Sequence, residues 1–202
     1  MSVTDPQQTA TGRVPRTSKG RARVDLLKLT AARQIAENGY ESATMTAIAE
    51  GAGASIGSLY QYFPTKDHLV REIQTDALEV LVTSLSALAQ AGGPPEKIGA
   101  AVFDCLTDHA RENPAFRAVC ERRDISATER RTVRDRICAH IAEGLTRASP
   151  PLPASRAMVA ATLILHLTDA VDGPGKLTHP VAQPLMRDEI HRMLRLYFEA
   201  PE

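Results

Sequence analysis

The residues best suited to recognising another molecule lie in one short stretch, SIGSLYQYFPTKDHL, at positions 55–69. A tyrosine offers a flat apolar ring with a hydroxyl at its tip, which suits thymine methyl groups or phosphate oxygens. A glutamine amide both donates and accepts, as reading adenine in the major groove requires. Gly57 has no side chain, so a helix here could approach another surface closely. The residues predicted to be open on this helix are Ile56, Gly57, Ser58, Tyr60, Gln61 and Tyr62.

Groups that could hold phosphates flank this stretch. Lys66 falls in the first turn of the next predicted helix, where charge and backbone N–H donors could bind one phosphate together. Thr44 stands at the start of the preceding helix and offers the same geometry for a second phosphate. We therefore expect an anionic partner on both sides of the central helix.

Charge is distributed unevenly along a chain whose formal net charge is zero. Residues 1–23 carry five basic side chains and one acidic side chain, a net of +4, whereas residues 73–202 carry 15 basic and 17 acidic ones. This asymmetry favours a basic N-terminal arm that meets an anion. An ordinary disordered tail that happens to be basic is the alternative.

Local stop and start signals predict the elements that position these groups. A helix over about 20–38 is expected to end at Asn38-Gly39, and a short helix, MTAIAEG, follows Thr44. The glycine-bearing turn GAGA at 51–54 separates it from a helix that begins at Ser55 and ends at Pro64. Two short helices joined by a tight glycine turn form a helix-turn-helix.

The remaining sequence also has helical periodicity, and nothing alternates with the period of a strand. Further helices are predicted at about 66–90, 95–112, 114–123, 127–148, 154–171 and 181–199. The predicted fold is therefore all-α, with about nine helices. Its domains are a mobile basic arm at 1–20, a helix-turn-helix domain at 21–66 and a C-terminal domain at 67–202.

The segment GYESATMTAIAEGAGASIGSLYQYFPTKDHL closely resembles the DNA-binding signature of the TetR family of bacterial transcriptional regulators, over about residues 21–70. The resemblance implies that Thr44, Tyr62 and Lys66 hold phosphates, and that Thr46, Ile56, Gly57, Ser58, Tyr60 and Gln61 face the major groove. Arg21 and Ser55 complete the predicted DNA-binding set. Ile56 departs from the family pattern, which often has a polar or basic residue there, and this favours an apolar contact with a thymine methyl.

The same resemblance implies a C-terminal domain that dimerises through its last two helices and encloses a small-molecule effector. The predicted dimer interface comprises Val159, Leu163, His166, Leu167, Ala170, Ile190, Met193, Leu194 and Tyr197. The predicted effector pocket comprises Val82, Leu85, Phe103, Leu106, His109, Phe116, Ile137, His140 and Ile141. Few aromatic residues are available, so we expect a modest aliphatic pocket with His109 or His140 as its polar anchor.

Other functional classes find little support. The cysteines Cys105, Cys120 and Cys138 are odd in number, which favours a reducing cytoplasm over a disulfide framework. No apolar run approaches the length of a membrane span, and no secretory signal begins the chain. Cys105 and His109 are four residues apart, but no further metal ligand lies at a telling spacing. No nucleophile, base and orienting group occur together, so neither an enzyme nor a cofactor is predicted.

The sequence thus predicts a homodimeric, ligand-responsive repressor that a small molecule releases from a palindromic operator in double-stranded DNA. The alternative is a helical small-molecule or protein-binding module of the same fold without effector-controlled DNA binding.

Overall fold

The computed structural model describes residues 12–113, 127–172 and 182–200 of the chain. Within these ranges all regular structure is helical and no strand is present, which confirms the all-α prediction. The eight helices are α1 (Ser18–Ser42), α2 (Met45–Gly51), α3 (Ile56–Tyr62), α4 (Lys66–Ala91), α5 (Pro95–Glu112), α6 (Ala127–Thr146), α7 (Ala154–Asp172) and α8 (Ala182–Glu199). The helix predicted at 114–123 lies outside the described residues.

Hydroxyl side chains fix the starts of the short helices as predicted. The Ala47 N–H donates to Thr44 Oγ1 (3.2 Å) at α2, and the Ser58 N–H donates to Ser55 Oγ (3.2 Å) at α3. Thr65 caps α4 in the same way. Each contact satisfies one of the backbone donors that the first turn of a helix leaves without a partner.

The first helix is longer than predicted. It begins at Ser18 because Thr17 Oγ1 accepts the Gly20 N–H (3.1 Å) and caps the helix two residues before the expected start. Gly39 has φ +79° and breaks the helical conformation at the predicted position, but one more turn follows to Ser42. Only glycine adopts this left-handed conformation without strain.

The chain divides into two compact units, Met1–Asp76 and Ala77–Glu202, and the division falls within α4. The first unit has its own small core, built from α1, α2, α3 and the start of α4. Its buried members are Val24, Leu27, Ala31, Ile48, Ala49, Ala52, Leu59, Phe63, Leu69 and Ile73. Leu27, Ile48, Leu59 and Phe63 therefore face the inside of the first unit.

The second unit is organised around a larger core to which the rest of α4 and helices α5 to α8 contribute. Phe103, Leu85, Ile141, Leu145 and Ile164 are among its fully buried side chains. α5 and α8 approach closely at one point, since a β-carbon on Gly99 would lie 2.5 Å from a ring carbon of Phe198. This tight packing leaves room for no larger residue at position 99 without a shift of the ring.

One helix among the described residues, α7, is long and apolar enough over Ala154–Val171 to cross a membrane. Its composition has another explanation within the unit. Ala157, Ala160, Ala161 and Ile164 are buried in the core. Charged residues on the same helix make polar contacts, with Asp169 paired to Arg134 on α6 at 2.6 Å. These features are typical of a core helix with a second apolar face.

Candidate nucleic-acid interface

α3 is held in place by very few residues. Its seven residues are too few to form a stable helix alone, because nucleation is costly and isolated helices shorter than about 12–15 residues are marginal in water. Leu59 is completely buried and Phe63, at the C-cap, is nearly so. These two apolar anchors and the Ser55 cap fix the helix on the first unit, which leaves most of its surface available.

The remaining side chains of α3 form an exposed face of mixed character. Ile56 is 40% exposed and Tyr60, one turn later, is 49% exposed, with Gln61 exposed beside it. Gly57 is also exposed, and a β-carbon there would have no atom within 4 Å, so its surroundings are open. A face with one apolar group, one phenol and one amide has the chemistry for reading base edges in a groove.

The hydroxyl residues predicted to contact DNA lie at the surface. Thr44, Thr46 and Ser55 are exposed, and Ser58 is half-buried. Thr44 and Ser55 accept backbone N–H groups as caps, but each hydroxyl keeps its own proton as a donor for a phosphate oxygen. Arg21 is exposed on the second turn of α1. The first unit therefore presents exposed donors on α1, on α2 with its N-cap, and on α3 with its N-cap.

Lys66 is used differently from the prediction. Its ammonium group donates to the carbonyl oxygens of Tyr40 (2.9 Å) and Ala43 (3.0 Å) and lies 4.0 Å from the centroid of the Tyr40 ring. The Tyr40 hydroxyl in turn donates to Asp67. Lys66 thus ties the end of α1 to the start of α4. A phosphate could use only its third N–H donor.

Tyr62 is half-buried rather than open, and it packs against the core of the first unit. A β-carbon on Gly20 would lie 3.4 Å from its hydroxyl oxygen, which places the end of the ring beside the first turn of α1. Tyr62 was predicted on an open face of α3, but the ring is half-buried against the core beside α1. Its hydroxyl remains a candidate for phosphate contact.

A charge contact that the sequence did not reveal joins α1 to α4. Lys28 Nζ lies 2.7 Å from Asp76 Oδ2 and 3.5 Å from Glu72 Oε2, and the Lys28 side chain is only 15% exposed. The partners are more than 40 positions apart, so no local pattern could have paired them. Together with Lys66, this contact fixes the first three turns of α4 to the helix-turn-helix.

The structure brings the predicted effector residues together, but most of them are part of the hydrophobic core of the second unit. Leu85, Phe103, Leu106, Ile137 and Ile141 are buried in the cluster of the second unit. The half-buried Val82 packs against them, and Phe116 lies outside the described residues. His140 is half-buried, with Nδ1 4.0 Å from Glu143 Oε2. An effector cavity among these side chains stays a prediction.

Among the described residues of the second unit, His109 is one of three buried polar residues, with Thr107 and Thr168. Burial is the main influence on its imidazole and lowers its pKa, while the nearby Glu112 carboxylate acts weakly in the opposite direction. Nδ1 lies 3.4 Å from the Asn113 amide nitrogen. The ring is therefore neutral at pH 7, which suits a polar but uncharged ligand group better than an anion.

This lowered pKa predicts that acidification destabilises the protein through His109. Below the ordinary histidine pKa the unfolded chain takes up a proton that the folded ring resists, so the free energy of unfolding falls as the pH falls. We expect His109→Gln to lose less stability than the wild type when urea denaturation is compared at neutral and mildly acidic pH. Parallel pH profiles for the two proteins would contradict this role for the histidine.

The outer faces of α7 and α8 expose apolar side chains. The predicted interface residues Val159, Leu163 and Met193 are exposed, and His166 and Ala170 lie on the same exposed side of α7. Four further apolar residues that the predicted interface did not include are exposed on these two helices: Met158, Leu185, Met186 and Leu196. Large apolar side chains concentrated on adjacent surfaces are typical of an interaction site.

The prediction wrongly assigned two buried residues to the dimer interface. Ile190 and Leu194 are only 2% and 3% exposed, because they line the inner face of α8 and pack in the core of their own chain. Leu167 and Tyr197 are half-buried against the same core. α8 is apolar on two faces, and the inner one is already covered.

A polar cluster fastens α8 to α5. Arg187 donates to Thr107 Oγ1 (2.8 Å) and Asp108 Oδ1 (2.9 Å), and His191 Nε2 lies 3.0 Å from Asp104 Oδ1. The pairs are about 80 residues apart along the chain, and the sequence analysis did not identify them. They hold the inner face of α8 inward and its outer face away from the core.

Comparisons with known proteins point to one family. The family described as "Bacterial regulatory proteins, tetR family" matches residues 29–73. The HTH-type transcriptional repressor KstR of Mycolicibacterium smegmatis is 39% identical over 59 residues, which are 29% of this chain and 29% of the repressor. The comparable segment therefore spans under a third of that relative.

Solved structures share the fold over most of the chain. AibR, in complex with isovaleryl coenzyme A and operator DNA, superposes with a TM-score of 0.64 at 18% identity, over 85% of this chain and 97% of AibR. FadR from Bacillus subtilis, in complex with stearoyl-CoA, superposes with a TM-score of 0.66 at 14% identity, over 88% and 99% of the two chains.

Proposed function

Because its N-terminal helix-turn-helix belongs to the tetR family of bacterial regulatory proteins, we propose that this chain is a ligand-responsive repressor that binds a palindromic operator as a homodimer. The observation that carries the proposal is the exposed α3 face, with Ile56, Tyr60 and Gln61 held open by two buried anchors. The family consists of regulatory proteins, in agreement with the prediction that the chain is not an enzyme. We propose a cytoplasmic location, where a bacterial regulator of this kind would meet its operator.

Roles in DNA reading follow from the position of each group on the first unit. Gln61 and Tyr60 are the base-reading residues, and Ile56 supplies an apolar contact suited to a thymine methyl. Thr46 faces the same groove, and Thr44, Ser55 and Arg21 supply donors to the phosphate backbone, which positions the protein but carries no sequence information. We place DNA binding in the first unit, and dimerisation and effector binding in the second.

Dimerisation would use the outer apolar faces of α7 and α8. Pairing each face with its symmetry mate makes a four-helix interface of the isologous kind that two-fold dimers use. A two-fold dimer presents two copies of α3 to two half-sites, which explains why the expected operator is palindromic.

The effector class that we favour is an acyl-CoA thioester. AibR and the Bacillus subtilis FadR, which share this fold, are described in complex with isovaleryl-CoA and stearoyl-CoA. In this chain, the aliphatic side chains around α4, α5 and α6 suit an acyl chain, and the neutral His109 suits a carbonyl oxygen. Release would be a population shift, in which the ligand stabilises a dimer whose DNA-binding units no longer match the two half-sites.

The proposed function is tested by selecting genomic fragments of the source bacterium with the purified protein, followed by footprinting at fixed physiological salt. We expect a protected near-palindrome, and we expect one member of an acyl-CoA series from isovaleryl to stearoyl to weaken binding. Free coenzyme A is the matched control for the nucleotide part of the ligand. In the same assay, His109→Gln and His140→Gln should reduce the response to the ligand while DNA affinity is kept.

The outcomes separate the parts of the proposal. Weak binding without sequence preference would reject the regulator itself. Sequence-specific binding that no thioester changes would reject the effector class, and it would favour a regulator of this fold that responds to a protein partner or to no ligand.

A further inference from the structure

The residues just before α1 lie against the end of the DNA-reading helix. The Arg13 N–H donates to the Gln61 carbonyl oxygen at 2.8 Å. At Gly12, a β-carbon would lie 1.7 Å from the Tyr62 carbonyl oxygen and 2.7 Å from its carbonyl carbon. The backbone of this segment is therefore in direct contact with the last turn of α3, and only glycine fits at position 12.

This contact has a physical cause in the way α3 ends. The last carbonyl groups of a helix have no donors within the helix. Pro64 follows at once and has no N–H to offer. The Arg13 N–H satisfies the Gln61 carbonyl, so the segment before α1 acts as a C-terminal cap for α3.

The segment is also fixed at its other end. Thr17 caps α1 at its first turn, and Pro15 restricts the backbone between the two fixed points. A β-carbon on Gly20 would lie 3.3 Å from Pro15 Cβ and 3.4 Å from the Tyr62 hydroxyl oxygen, so Pro15 is packed near Tyr62 and α1. Residues 12–17 are thus an ordered strap against the last turn of α3, although the sequence predicted a mobile arm at these positions.

The strap carries positive charge beside the reading face. Arg13 and Arg16 are exposed, and in the part of the chain that the structure describes neither guanidinium forms an ion pair with a carboxylate. By contrast, Lys28 in the same unit is paired with Asp76. The Arg13 backbone is bonded to Gln61, so Arg13 starts beside a residue that we assign to base reading, and Arg16 follows three residues along the strap.

We propose that this strap is a second DNA-contacting element, in which Arg13 and Arg16 bind backbone phosphates that flank the base pairs read by α3. The inference rests on the proposed function and extends it to residues outside the helix-turn-helix. Because the strap is already ordered, little conformational entropy is lost when it meets DNA. A strap that is packed against α3 also holds the DNA phosphates that it binds at a constant distance from the bases that Gln61 reads.

The test measures operator affinity across a series of salt concentrations for four proteins. Arg13→Gln/Arg16→Gln removes the two charges. Gly12→Val keeps both charges, but its side chain prevents the strap from packing against α3. Arg131→Gln/Arg136→Gln, at two exposed positions of α6, is the matched control because it removes the same charge from the second unit. The wild type completes the set.

Each lost phosphate contact should reduce the slope of log affinity against log salt by about 0.9, so the strap double variant should lose about 3.6 per dimer. The control should keep the wild-type slope. Gly12→Val should bind the operator several-fold more weakly and keep its affinity for unrelated duplex DNA.

Each failure has a distinct meaning. An unchanged salt slope in the strap double variant would overturn the proposed phosphate contacts. Wild-type operator affinity in Gly12→Val would show that packing of the strap against α3 is not needed for binding. If the wild type itself had no preferred sequence, the proposed function would fail, whatever the strap variants did.

Discussion

Replacing Val159 and Met193 together by glutamate should convert the dimer to monomers and weaken binding to a palindromic operator by about 10²–10⁴-fold. Both side chains are 54% exposed on the outer faces of α7 and α8 in the single chain. In a dimer built on those faces, four carboxylates would be buried without partners, which is strongly unfavourable. In a dimer, the subunit bound to one half-site holds the other subunit at a high effective concentration near the second half-site. A monomer loses this gain.

Sedimentation measures the state of association, and titration of DNA with one or two half-sites measures the coupling. The monomer should bind a single half-site as well as one wild-type DNA-binding unit does. Val80→Glu is the matched control, since Val80 is equally exposed but lies on α4, outside the proposed interface. A double variant that stays dimeric with wild-type operator affinity would reject this face as the interface.

Gln61→Ala should weaken operator binding by roughly tenfold or more at each half-site, because a good amide-to-base contact contributes about 1–3 kcal/mol of discrimination. Tyr60→Phe, which removes only a hydroxyl, should have a smaller effect. The loss should be confined to the preferred sequence, so affinity for unrelated DNA and its salt dependence should change little.

Gln90→Ala provides the comparison, since it removes the same amide from an exposed position of α4 in the second unit. Titration of operators with single base-pair changes would locate the contact, because the variant should tolerate substitution at the base pair that Gln61 reads. If Gln61→Ala bound all sequences as the wild type does, α3 would not be the reading helix.

The elements of the first unit were predictable because their boundaries are encoded locally. Thr44, Ser55 and Thr65 cap helices with their own hydroxyls, and Pro64 ends α3 through its missing N–H. Gly39 and Gly53 have positive φ at the predicted breaks. Such signals act over three or four residues and need no knowledge of tertiary structure.

The errors arose where the outcome depends on distant partners. α8 carries apolar residues on two faces, and periodicity cannot tell which face the chain covers itself, so Ile190 and Leu194 were assigned to the dimer. Lys66 also donates to carbonyls more than 20 residues away, which no local pattern predicts, while its phosphate contact stays a prediction. The strap was taken for a tail because a backbone hydrogen bond leaves no mark in composition.

The way α3 is anchored bears on how proteins of this kind could diverge. Leu59 and Phe63 face the core, whereas Ile56, Tyr60 and Gln61 share the outer face and contribute little to the packing of the unit. Substitutions at exposed positions away from caps usually change stability by no more than about 0.5 kcal/mol. Operator preference can therefore drift by single mutations while the fold persists, so closely related copies in one genome could come to govern different genes.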